Sequence, residues 1–387
     1  MPIPVAHHSL MREMNEIAVM TVVRQHAPIS RRQIAEITGL TKSTVTVAVQ
    51  RLFAKNILME RGTVTAGPGR PEILLGLNPN AGFLLGAAVD VANYQVLLFD
   101  LQARILDQKV MGFDPQTPAH DVLDALVQDV VLMYQHIPRD QYWGFGVSIP
   151  GIISPTGLVI NAPNLKWRHV PVRDYFLNRL EAPVFVVNDA ASGAVAEYYF
   201  GNAQHSDLLL YLSLGMGIGG GALIAGKLFE GVSGAGTEVG HMVIDDNGPY
   251  CRCGRRGCFE AVASLRALTE RAMRIRDIWH WIDLDAIVDA FNHEEDWARQ
   301  ALDETLRYLE QGVTNLANIF DPDTIILGGP LSQFGPYLSD RIGSRVNRDM
   351  MSAEHRAISV RLTSFNGFTS AFGAGAMALN TAVKVRL

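Results

Sequence analysis

The 387-residue sequence lacks any apolar run long enough to cross a membrane, and only 19% of its residues are charged. Its near-apolar stretches, such as 208–214, are much shorter than the roughly 18–20 residues of a membrane-spanning helix, which excludes a transmembrane role. The first twenty residues carry Arg12, Glu13 and Glu16 ahead of a short apolar stretch and have no small-residue cleavage site, unlike a secretory signal. We therefore expect a globular, cytoplasmic protein of two or three domains with no membrane contact.

The charge of the chain is unevenly distributed. The net charge is -6, but residues 1–77 contain nine Lys and Arg against five Asp and Glu, whereas the remainder contains 24 against 34. A positive segment can approach a polyanion such as DNA, and the acidic remainder cannot. A chance fluctuation of a few charges would give the same asymmetry, so the local sequence pattern has to decide.

The N-terminal segment has the pattern of three short helices. A helix over 9–26 is predicted from apolar residues spaced three and four apart: Leu10, Met14, Ile17, Met20 and Val23. Ser30 and Gln33 have the spacing of a capping box, which predicts a second helix over about 31–38. Gly39 provides a turn and Thr41 caps a third helix, so the segment is predicted to be a helix-turn-helix.

The third helix is predicted to have a polar outer face. Val45, Val49 and Leu52 form its buried stripe, and an ordinary three-helix packing module would show the same periodicity. Residues 57–77 decide against such a module, because they alternate as a β-hairpin does and carry a narrow cationic tip at 67–71. The segment therefore resembles a winged helix-turn-helix DNA-binding domain. The predicted DNA contacts are Arg31, Arg32, Lys42, Ser43, Thr44, Thr46, Gln50 and Arg70.

All three cysteines of the chain lie within eight residues. Cys251, Cys253 and Cys258 have the spacing C-x-C-x4-C, and His241 lies ten residues before the first of them. A Cys3His set suits tetrahedral zinc(II), and its four ligands leave no open coordination position. The sequence therefore predicts a structural zinc ion, with three buried or redox-idle thiols as the alternative.

After residue 79 the sequence changes to apolar, strand-like runs. Strands are predicted at 83–89, 96–101 and 143–149, and again at 208–214 and 220–224 around a glycine-rich turn. The recurrence of this arrangement indicates a duplicated α/β unit.

Four motifs of the body resemble the ROK family of repressors, open reading frames and kinases. They are Asn188-Asp189-Ala190, the glycine-rich run 214–221, Gly236-Thr237-Glu238-Val239-Gly240-His241, and the cysteine-containing run 251–260. The resemblance spans essentially the whole chain and implies an α/β protein, in which the winged helix precedes a two-lobed actin-like and sugar-kinase-like (ribonuclease H-like) fold. The implied domains are a DNA-binding domain at 1–77, a small lobe at 78–193 with the C-terminal helix 370–387, and a large lobe with the zinc site at 194–369.

The resemblance also implies a monosaccharide site between the two lobes. Asn188 and Asp189 would contact sugar hydroxyls from one lobe, and Glu238, His241 and Glu260 would contact them from the other. His241 would bind zinc through one ring nitrogen and face the sugar with the other. Taken singly, an Asn-Asp pair before a helix is commonly a cap, and a lone Glu is commonly a solvated charge.

The sequence departs from the ROK kinases at both phosphate-binding turns. The kinases carry D-x-G-G-T-K in the first turn and G-T-G-I-G-G-G in the second, whereas this chain has Asp90-Val91-Ala92-Asn93-Tyr94 and places Met216 where they have Thr. The missing glycines, lysine and hydroxyl remove close backbone approach, positive charge and a hydrogen bond to phosphate. Asp189 would be the general base of a kinase, but we expect no enzyme activity.

These observations favour a sugar-responsive DNA-binding regulator, most simply a repressor. We expect it to bind operator DNA as a homodimer or a dimer of dimers and to respond to a monosaccharide, with xylose, glucose and N-acetylglucosamine all open. Two alternatives remain open. One is a sugar kinase with a DNA-binding domain, and the other is a regulator that senses a protein partner instead of free sugar.

Overall fold

The computed structural model describes residues 8–65, 71–365 and 367–385. These residues form two compact units. The first unit takes the described chain up to Val147, with 172–186 and the C-terminal helix from Ala374 onward, and the second takes 148–171 and 187–373. Among the helices of the described residues, none combines the length and the hydropathy that crossing a bilayer demands.

The N-terminal part of the first unit is a winged helix-turn-helix. Its elements are α1 (His8–His26), β1 (Ile29–Ser30), α2 (Arg31–Thr38), α3 (Lys42–Ala54), β2 (Leu58–Val64) and β3 (Glu72–Leu77). The three strands form an antiparallel sheet in the order β1-β3-β2, in which β2 and β3 are the wing. The three predicted helices and the predicted hairpin are confirmed. The tip at 67–70, with the predicted DNA contact Arg70, lies outside the described residues.

Side-chain caps determine where α2 and α3 begin. Ser30 Oγ accepts a hydrogen bond from Gln33 N at 3.3 Å, and Gln33 Oε1 accepts one from Ser30 N at 3.0 Å, which confirms the predicted capping box. Thr41 Oγ1 accepts from Thr44 N at 3.2 Å at the start of α3. Between them, Gly39 ends α2 with φ 68°, a left-handed conformation that a side chain would strain.

The burial in the first turns of α1 does not follow the apolar spacing. Met14 belongs to that spacing, but its side chain is 60% exposed. Glu16 is buried instead, and its carboxylate accepts hydrogen bonds from Arg51 at 3.2 Å and from Lys55 at 2.9 Å. Apolar periodicity cannot register a buried carboxylate whose charge is compensated by two cations at a distant part of the chain.

A five-stranded sheet follows the winged helix. The elements up to its last strand are β4 (Phe83–Val89), β5 (Asn93–Asp100), β6 (Ile105–Gly112), α4 (Ala119–Tyr134), β7 (Tyr142–Ile149), β8 (Ile152–Ile153), β9 (Val159–Ala162), β10 (Trp167–Val170), α5 (Val172–Leu177) and β11 (Val184–Asn188). The order in the sheet is β11-β7-β4-β5-β6, in which β5 pairs antiparallel with both β4 and β6. Strands β8 to β10 form a separate small sheet.

A second five-stranded sheet forms the core of the second unit. The remaining elements are α6 (Asp189–Phe200), β12 (Leu208–Leu214), β13 (Ile218–Ile224), β14 (Lys227–Leu228), α7 (Phe259–Ala263), α8 (Leu265–Ile275), α9 (Leu284–Asn292), α10 (Asp296–Phe320), β15 (Thr324–Gly328), α11 (Pro336–Asp349), β16 (Ser359–Leu362) and α12 (Thr369–Val385). Leu210 and Leu212 of β12 lie in one core with residues of α7, α8 and α10, whereas Tyr211 contacts Gly193 of α6. Because side chains alternate across a strand, helices cover both faces of this sheet.

The two five-stranded sheets have the same strand order. The second reads β14-β13-β12-β15-β16, so both read 3-2-1-4-5 when the strands of each sheet are numbered along the chain. This repetition confirms the predicted duplicated α/β unit and the predicted fold class, a winged helix-turn-helix followed by a sugar-kinase-like body.

The predicted division of the body at residue 193 stays a prediction. The second compact unit includes 148–171 and 187–193, which the sequence assigns to the small lobe. Helix α6 gives a physical reason for the second of these segments. Ala190 lies so close to Gly219 and Gly221 of β13 that a Cβ on either glycine would come within 3 Å of it. The beginning of α6 is therefore packed on the second sheet.

Candidate functional site

Asn188 caps the N-terminus of α6. Its Oδ1 accepts hydrogen bonds from the backbone N–H groups of Ala190 at 2.9 Å and Ala191 at 3.3 Å, and its Nδ2 donates to Gly151 O at 2.9 Å. The side-chain amide is thus used within the second unit. The structure shows the cap function that the sequence left open for Asn188, and its contact with a sugar stays a prediction.

Asp189 is the first residue of α6 and is half-buried. Its backbone carbonyl accepts a hydrogen bond from Ser370 Oγ at 3.4 Å, which ties it to the start of α12. A carboxylate in the first turn of a helix is stabilised by the helix dipole. Asp189 is therefore held at a defined position beside β13, the strand against which α6 packs.

Glu238 and His241 lie at the two ends of one short turn. The chain between them forms a single 3-10 turn, and the Glu238 Oε2 to His241 Nε2 distance is 4.0 Å. Burial raises the pKa of Glu238; the neighbouring His241 opposes this shift and Glu260 adds to it. Thr237, just before the turn, has φ 62°, and its hydroxyl donates to Gly220 O at 2.9 Å. The backbone of β13 therefore holds a strained residue next to Glu238.

Glu260 joins the turn between β12 and β13 to the cysteine-rich loop. It lies in the first turn of α7, where Oε2 accepts a hydrogen bond from Ile218 N at 3.2 Å and Oε1 lies 3.9 Å from Cys251 Sγ. A Cβ on Gly217 would come 2.4 Å from the same carboxylate, so only glycine leaves room for it. Glu260 is thereby positioned by contacts on two sides.

The four residues of the predicted zinc site are brought together. The ligand atoms of His241, Cys251, Cys253 and Cys258 all lie within 4.8 Å of one another. His241 Nδ1 is 3.7 Å from Cys251 Sγ, and the sulfur atoms of Cys253 and Cys258 are 3.6 Å apart. His241 thus turns Nδ1 towards the cysteines and Nε2 towards Glu238.

These distances fit a tetrahedral ion. Zinc bonds of about 2.3 Å to sulfur and about 2.0–2.1 Å to nitrogen place two tetrahedral sulfurs about 3.8 Å apart and a sulfur and a nitrogen about 3.6 Å apart. The Cys253 to Cys258 and Cys251 to His241 separations of 3.6 and 3.7 Å match these values. The cluster is therefore compatible with a four-coordinate zinc ion.

The three thiols differ in their readiness to ionise. A hydrogen bond from the Arg255 backbone lowers the pKa of Cys253 to about 6, whereas burial raises the pKa of Cys251 and raises that of Cys258 to about 12. Metal binding requires thiolates, and a bound cation deprotonates its thiol ligands. The exposed Cys253 therefore ionises most readily of the three thiols.

The described geometry thus gathers three of the five predicted sugar contacts. Glu238, His241 and Glu260 lie around the cysteine cluster. Asn188 and Asp189 lie at the N-terminus of α6, which packs on β13. All five belong to the second compact unit. Two carboxylates supply acceptors for sugar hydroxyls, and the histidine ring supplies a further hydrogen-bonding nitrogen.

Backbone donors at the two turns that the sequence compares with kinase phosphate-binding turns have partners within the protein. Between β4 and β5, Asp90 Oδ1 accepts from Val91 N at 2.7 Å. Between β12 and β13, Gly215 N donates to Gly217 O at 2.9 Å, and Ile218 N donates to Glu260 Oε2 at 3.2 Å. A phosphate at the second turn would have to compete for these two donors.

The predicted DNA contacts on α3 point away from the winged-helix core. Lys42, Ser43, Thr46 and Gln50 are exposed and Thr44 is half-buried. Several of their hydroxyls are bonded locally: Thr41 Oγ1 lies 2.9 Å from Ser43 Oγ and 2.8 Å from Thr44 Oγ1. The helix therefore presents polar side chains whose positions are fixed by its own N-terminus.

The two predicted arginine contacts of α2 have partners in the winged helix. Arg32 pairs with Glu72 of the wing at 2.8 Å and with Glu36 at 3.0 Å, and the Arg31 guanidinium lies 5.9 Å from the centre of the Phe53 ring. Arg32 remains about half exposed, so a phosphate can compete for it. Contact of both residues with DNA stays a prediction.

Sequence reasoning missed two residues of this surface. Val47 of α3 is 51% exposed, and Arg12 of α1 lines with Ser43 and Val47 a groove of about 280 Å³. The signal for Val47 was available, because positions 43, 47 and 50 recur at helical spacing opposite the buried stripe. Val47 was missed because only polar and charged residues were considered as DNA contacts.

Two family models match the chain. The model of the ROK family matches residues 86–381, and a model of winged helix-turn-helix DNA-binding domains matches residues 15–58. The first begins within β4 and ends within α12, and the second runs from α1 to the start of β2.

Known proteins are similar to the chain over most of its length. A xylose repressor of Bacillus spizizenii is 31% identical over 345 residues, which is 89% of each chain. A ROK family transcriptional regulator that is a homologue of the Escherichia coli MLC protein has a fold similar over 96% of this chain and 97% of its own, with TM-score 0.80 and 23% identity. A ROK family glucokinase from Streptomyces griseus, solved with glucose and AMPPNP, is 28% identical with TM-score 0.69 and covers 77% of this chain and 100% of its own.

Proposed function

This chain belongs to the ROK family, and we propose that it is a DNA-binding transcriptional repressor whose operator binding responds to a monosaccharide. The observation that carries the proposal is the combination, in one chain, of a capped winged helix-turn-helix with a ROK body whose carboxylates and histidine converge. The similar xylose repressor supports the regulatory role.

In the winged helix, α3 acts as the recognition helix. Its exposed Lys42, Ser43 and Gln50 can contact base edges or phosphates in a major groove, and the wing lies beside it. The net positive charge of residues 1–77 favours association with the polyanion. A homodimer, or a dimer of dimers, would read a pseudo-palindromic operator with half-sites about one helical turn, or a multiple of it, apart.

The effector site lies on the second unit. Glu238 and Glu260 would accept hydrogen bonds from sugar hydroxyls, His241 would add its Nε2, and Asp189 would accept from a further hydroxyl beside the α6 cap. Asp189, His241 and Glu260 are half-buried, which increases the cost of leaving them unpaired, so a matched sugar binds with specificity. Xylose, glucose and N-acetylglucosamine remain candidates.

The cofactor of this proposal is one structural zinc ion held by His241, Cys251, Cys253 and Cys258. When bound, zinc would cross-link the turn of Glu238 to the loop before α7. His241 Nδ1 would be a ligand, so its Nε2 carries the proton and points at Glu238 as a donor. Elemental analysis of the purified chain is expected to find one zinc per protomer.

The sugar response acts through a difference in affinity. A monosaccharide changes DNA binding only if it binds one conformation of the chain more tightly than another. Release of the operator is the expected direction for a repressor of sugar-use genes. A protein effector in place of free sugar is the remaining version of the same regulatory role.

The test is a thermal-shift panel of pentoses, hexoses and amino sugars on the zinc-loaded protein, followed by operator binding with the active sugar. Ligand at a hundred times its dissociation constant adds roughly 2.7 kcal/mol to stability. Glu238→Gln is expected to weaken the binding of that sugar by about tenfold to a hundredfold, because a charged hydrogen-bond acceptor is lost. The control is Glu230→Gln at an exposed acid of the same unit.

The outcomes distinguish a sugar effector from a protein effector. One sugar that raises the unfolding temperature and also changes operator affinity supports the proposal. If no sugar of the panel shifts the unfolding temperature of the zinc-loaded protein, a sugar effector is contradicted and a protein effector is favoured. An equal loss in Glu238→Gln and Glu230→Gln contradicts the assigned site.

Kinase activity is the second candidate, favoured by the similarity to the glucokinase and by Asp189 at the start of α6. A kinase would use Asp189 as the general base towards the attacking sugar hydroxyl. Because Met216 and the internally bonded turns offer little to a nucleotide, we expect no ADP formation from ATP and any sugar of the panel. ADP release that disappears in Asp189→Asn would establish the kinase.

A further inference from the structure

The exposed face of α3 carries an apolar side chain, Val47. Successive residues of a helix are rotated by about 100°, which places Ser43, Val47 and Gln50 within about 60° of one another. The residues opposite to them are buried: Val45, Ala48, Val49 and Leu52. Val47, 51% exposed, therefore belongs to the face opposite that buried stripe, on the side where it lines a groove with Arg12 of α1.

The polar neighbours of Val47 are partly committed to the helix itself. Thr46 Oγ1 donates to Lys42 O at 2.8 Å, and Ser43 Oγ lies 2.9 Å from Thr41 Oγ1. These hydroxyls must give up or share a local bond before they contact a base. Val47 has no such constraint, and its γ-methyl groups are stiff because the side chain branches at Cβ.

We propose that Val47 helps to select the operator sequence by contacting the C5 methyl group of a thymine in the major groove. Thymine alone among the four bases presents a methyl group in that groove. Contact with the valine removes both apolar surfaces from water. Cytosine carries only a hydrogen at C5, so it offers the valine no methyl group to contact. This inference rests on the proposed DNA-binding function.

The surroundings of Val47 fit DNA as its partner. Arg12 lines the groove that Val47 and Ser43 share and makes no ion pair with any described residue, so it can contact a phosphate beside the base. Lys42 is exposed at the beginning of the same helix. A branched apolar side chain beside Arg12, on a helix that begins with an exposed lysine, suits a thymine next to the phosphate backbone.

The experiment compares thymine with uracil, which lacks only the methyl group. Duplexes are first selected from a random library with the full-length, zinc-loaded protein. Affinities are then measured by fluorescence anisotropy at one salt concentration on the selected duplex, with single thymines replaced by deoxyuridine. The variants are Val47→Ala, Val47→Thr and, as a matched control, Val110→Ala, which shortens an equally exposed valine on β6.

We expect one thymine in each half-site at which uracil weakens wild-type binding by about fourfold, the effect of one buried methyl group. Val47→Ala should bind thymine and uracil equally, whereas Val47→Thr, which keeps one γ-methyl, and Val110→Ala should retain discrimination. Discrimination that persists in Val47→Ala, or selected duplexes that tolerate every uracil, would overturn the role of Val47 and leave DNA binding intact. Failure to enrich any duplex would overturn the proposed function itself, and this inference with it.

Discussion

The recognition face of α3 and the cluster around His241 are both polar, but they are assembled at different distances along the chain. On α3, Ser43 and Thr46 bond to residues two and four positions away. In the cluster, Cys251 meets His241 across ten residues and Glu260 meets Ile218 across 42. A face made by one helix can change its side chains with little effect on the fold. A cluster made by distant loops cannot, so binding and stability are coupled there.

Loss of the proposed zinc ion tests this contrast, and it is the change from which we expect the largest fall in stability. Cys258 is fully buried, and Cys258→Ser removes one ligand from an enclosed site. Structural zinc binding contributes about 10 kcal/mol or more in small domains, so we expect the unfolding temperature of the second unit to fall by roughly 10 °C or more. Differential scanning calorimetry with parallel zinc analysis measures both quantities.

The controls for zinc loss use chelation and the winged helix. Chelator treatment of the wild type should reproduce the destabilisation, and added zinc should reverse it. Binding of operator DNA at low temperature should persist, because α1 to α3 contribute no ligand. Protein that is purified without metal and is indifferent to chelator would contradict the structural zinc site.

A buried carboxylate offers the sharpest exception within the winged helix. Glu16 is 3% exposed and bonds to Arg51 and Lys55, 35 and 39 residues away. Glu16→Gln removes the charge that two cations compensate, and we expect a loss of about 1–3 kcal/mol, less than for a fully buried pair because both cations are partly exposed. Urea unfolding followed by circular dichroism measures it.

The matched variant is Glu60→Gln, which changes an exposed carboxylate of the same domain. It should leave the unfolding midpoint almost unchanged. If Glu16→Gln also left the unfolding midpoint unchanged, the winged helix would depend on local interactions alone, and its contrast with the cluster would be sharper.

Glu16 also shows why the sequence predicts some features and not others. The bounds of α2 follow from Ser30, Gln33 and Gly39, because capping and left-handed turns are properties of neighbouring residues. The partner of Glu16 is chosen by the packing of two helices, and no rule of spacing along the chain contains that information. The burial of Glu16 and the exposure of Met14 were therefore beyond a periodicity argument.

The candidate site divides in the same way. The Cys3His set was predictable because three ligands lie within eight residues and metal geometry is strict. The bond from Ile218 N to Glu260 was not, since it needs the turn between β12 and β13 to lie beside α7. The sequence suggested a helix cap at Asn188 as one alternative. It could not show that the amide nitrogen of the same side chain donates to Gly151 O.

Two helix caps, one from each region, give the next smaller effect. Ser30 caps α2, and Ser264, which is buried, caps α8 by accepting from Ala267 N at 3.4 Å. Substitution of either by alanine should cost about 1 kcal/mol, because each leaves a backbone donor unsatisfied. Both hydroxyls are buried, but the donor of α8 belongs to the buried Ala267, whereas Gln33 is exposed and water can reach its N–H group. We therefore expect Ser264→Ala to cost more. Equal unfolding midpoints in urea would contradict that difference between the two donors.

The smallest expected effect on stability belongs to Arg32. Its bonds to Glu36 and Glu72 join exposed groups, and such pairs are screened by water and salt. Arg32→Ala should therefore leave the unfolding midpoint unchanged. If Arg32 exchanges these partners for a phosphate, the slope of log affinity for operator DNA against log salt should fall by about one. Lys227→Ala, at an exposed cation of β14, should change neither quantity. A slope that is unaltered in Arg32→Ala would assign Arg32 to holding the wing through Glu72 rather than to DNA, because a contact with a phosphate cannot be removed without changing the number of counterions released.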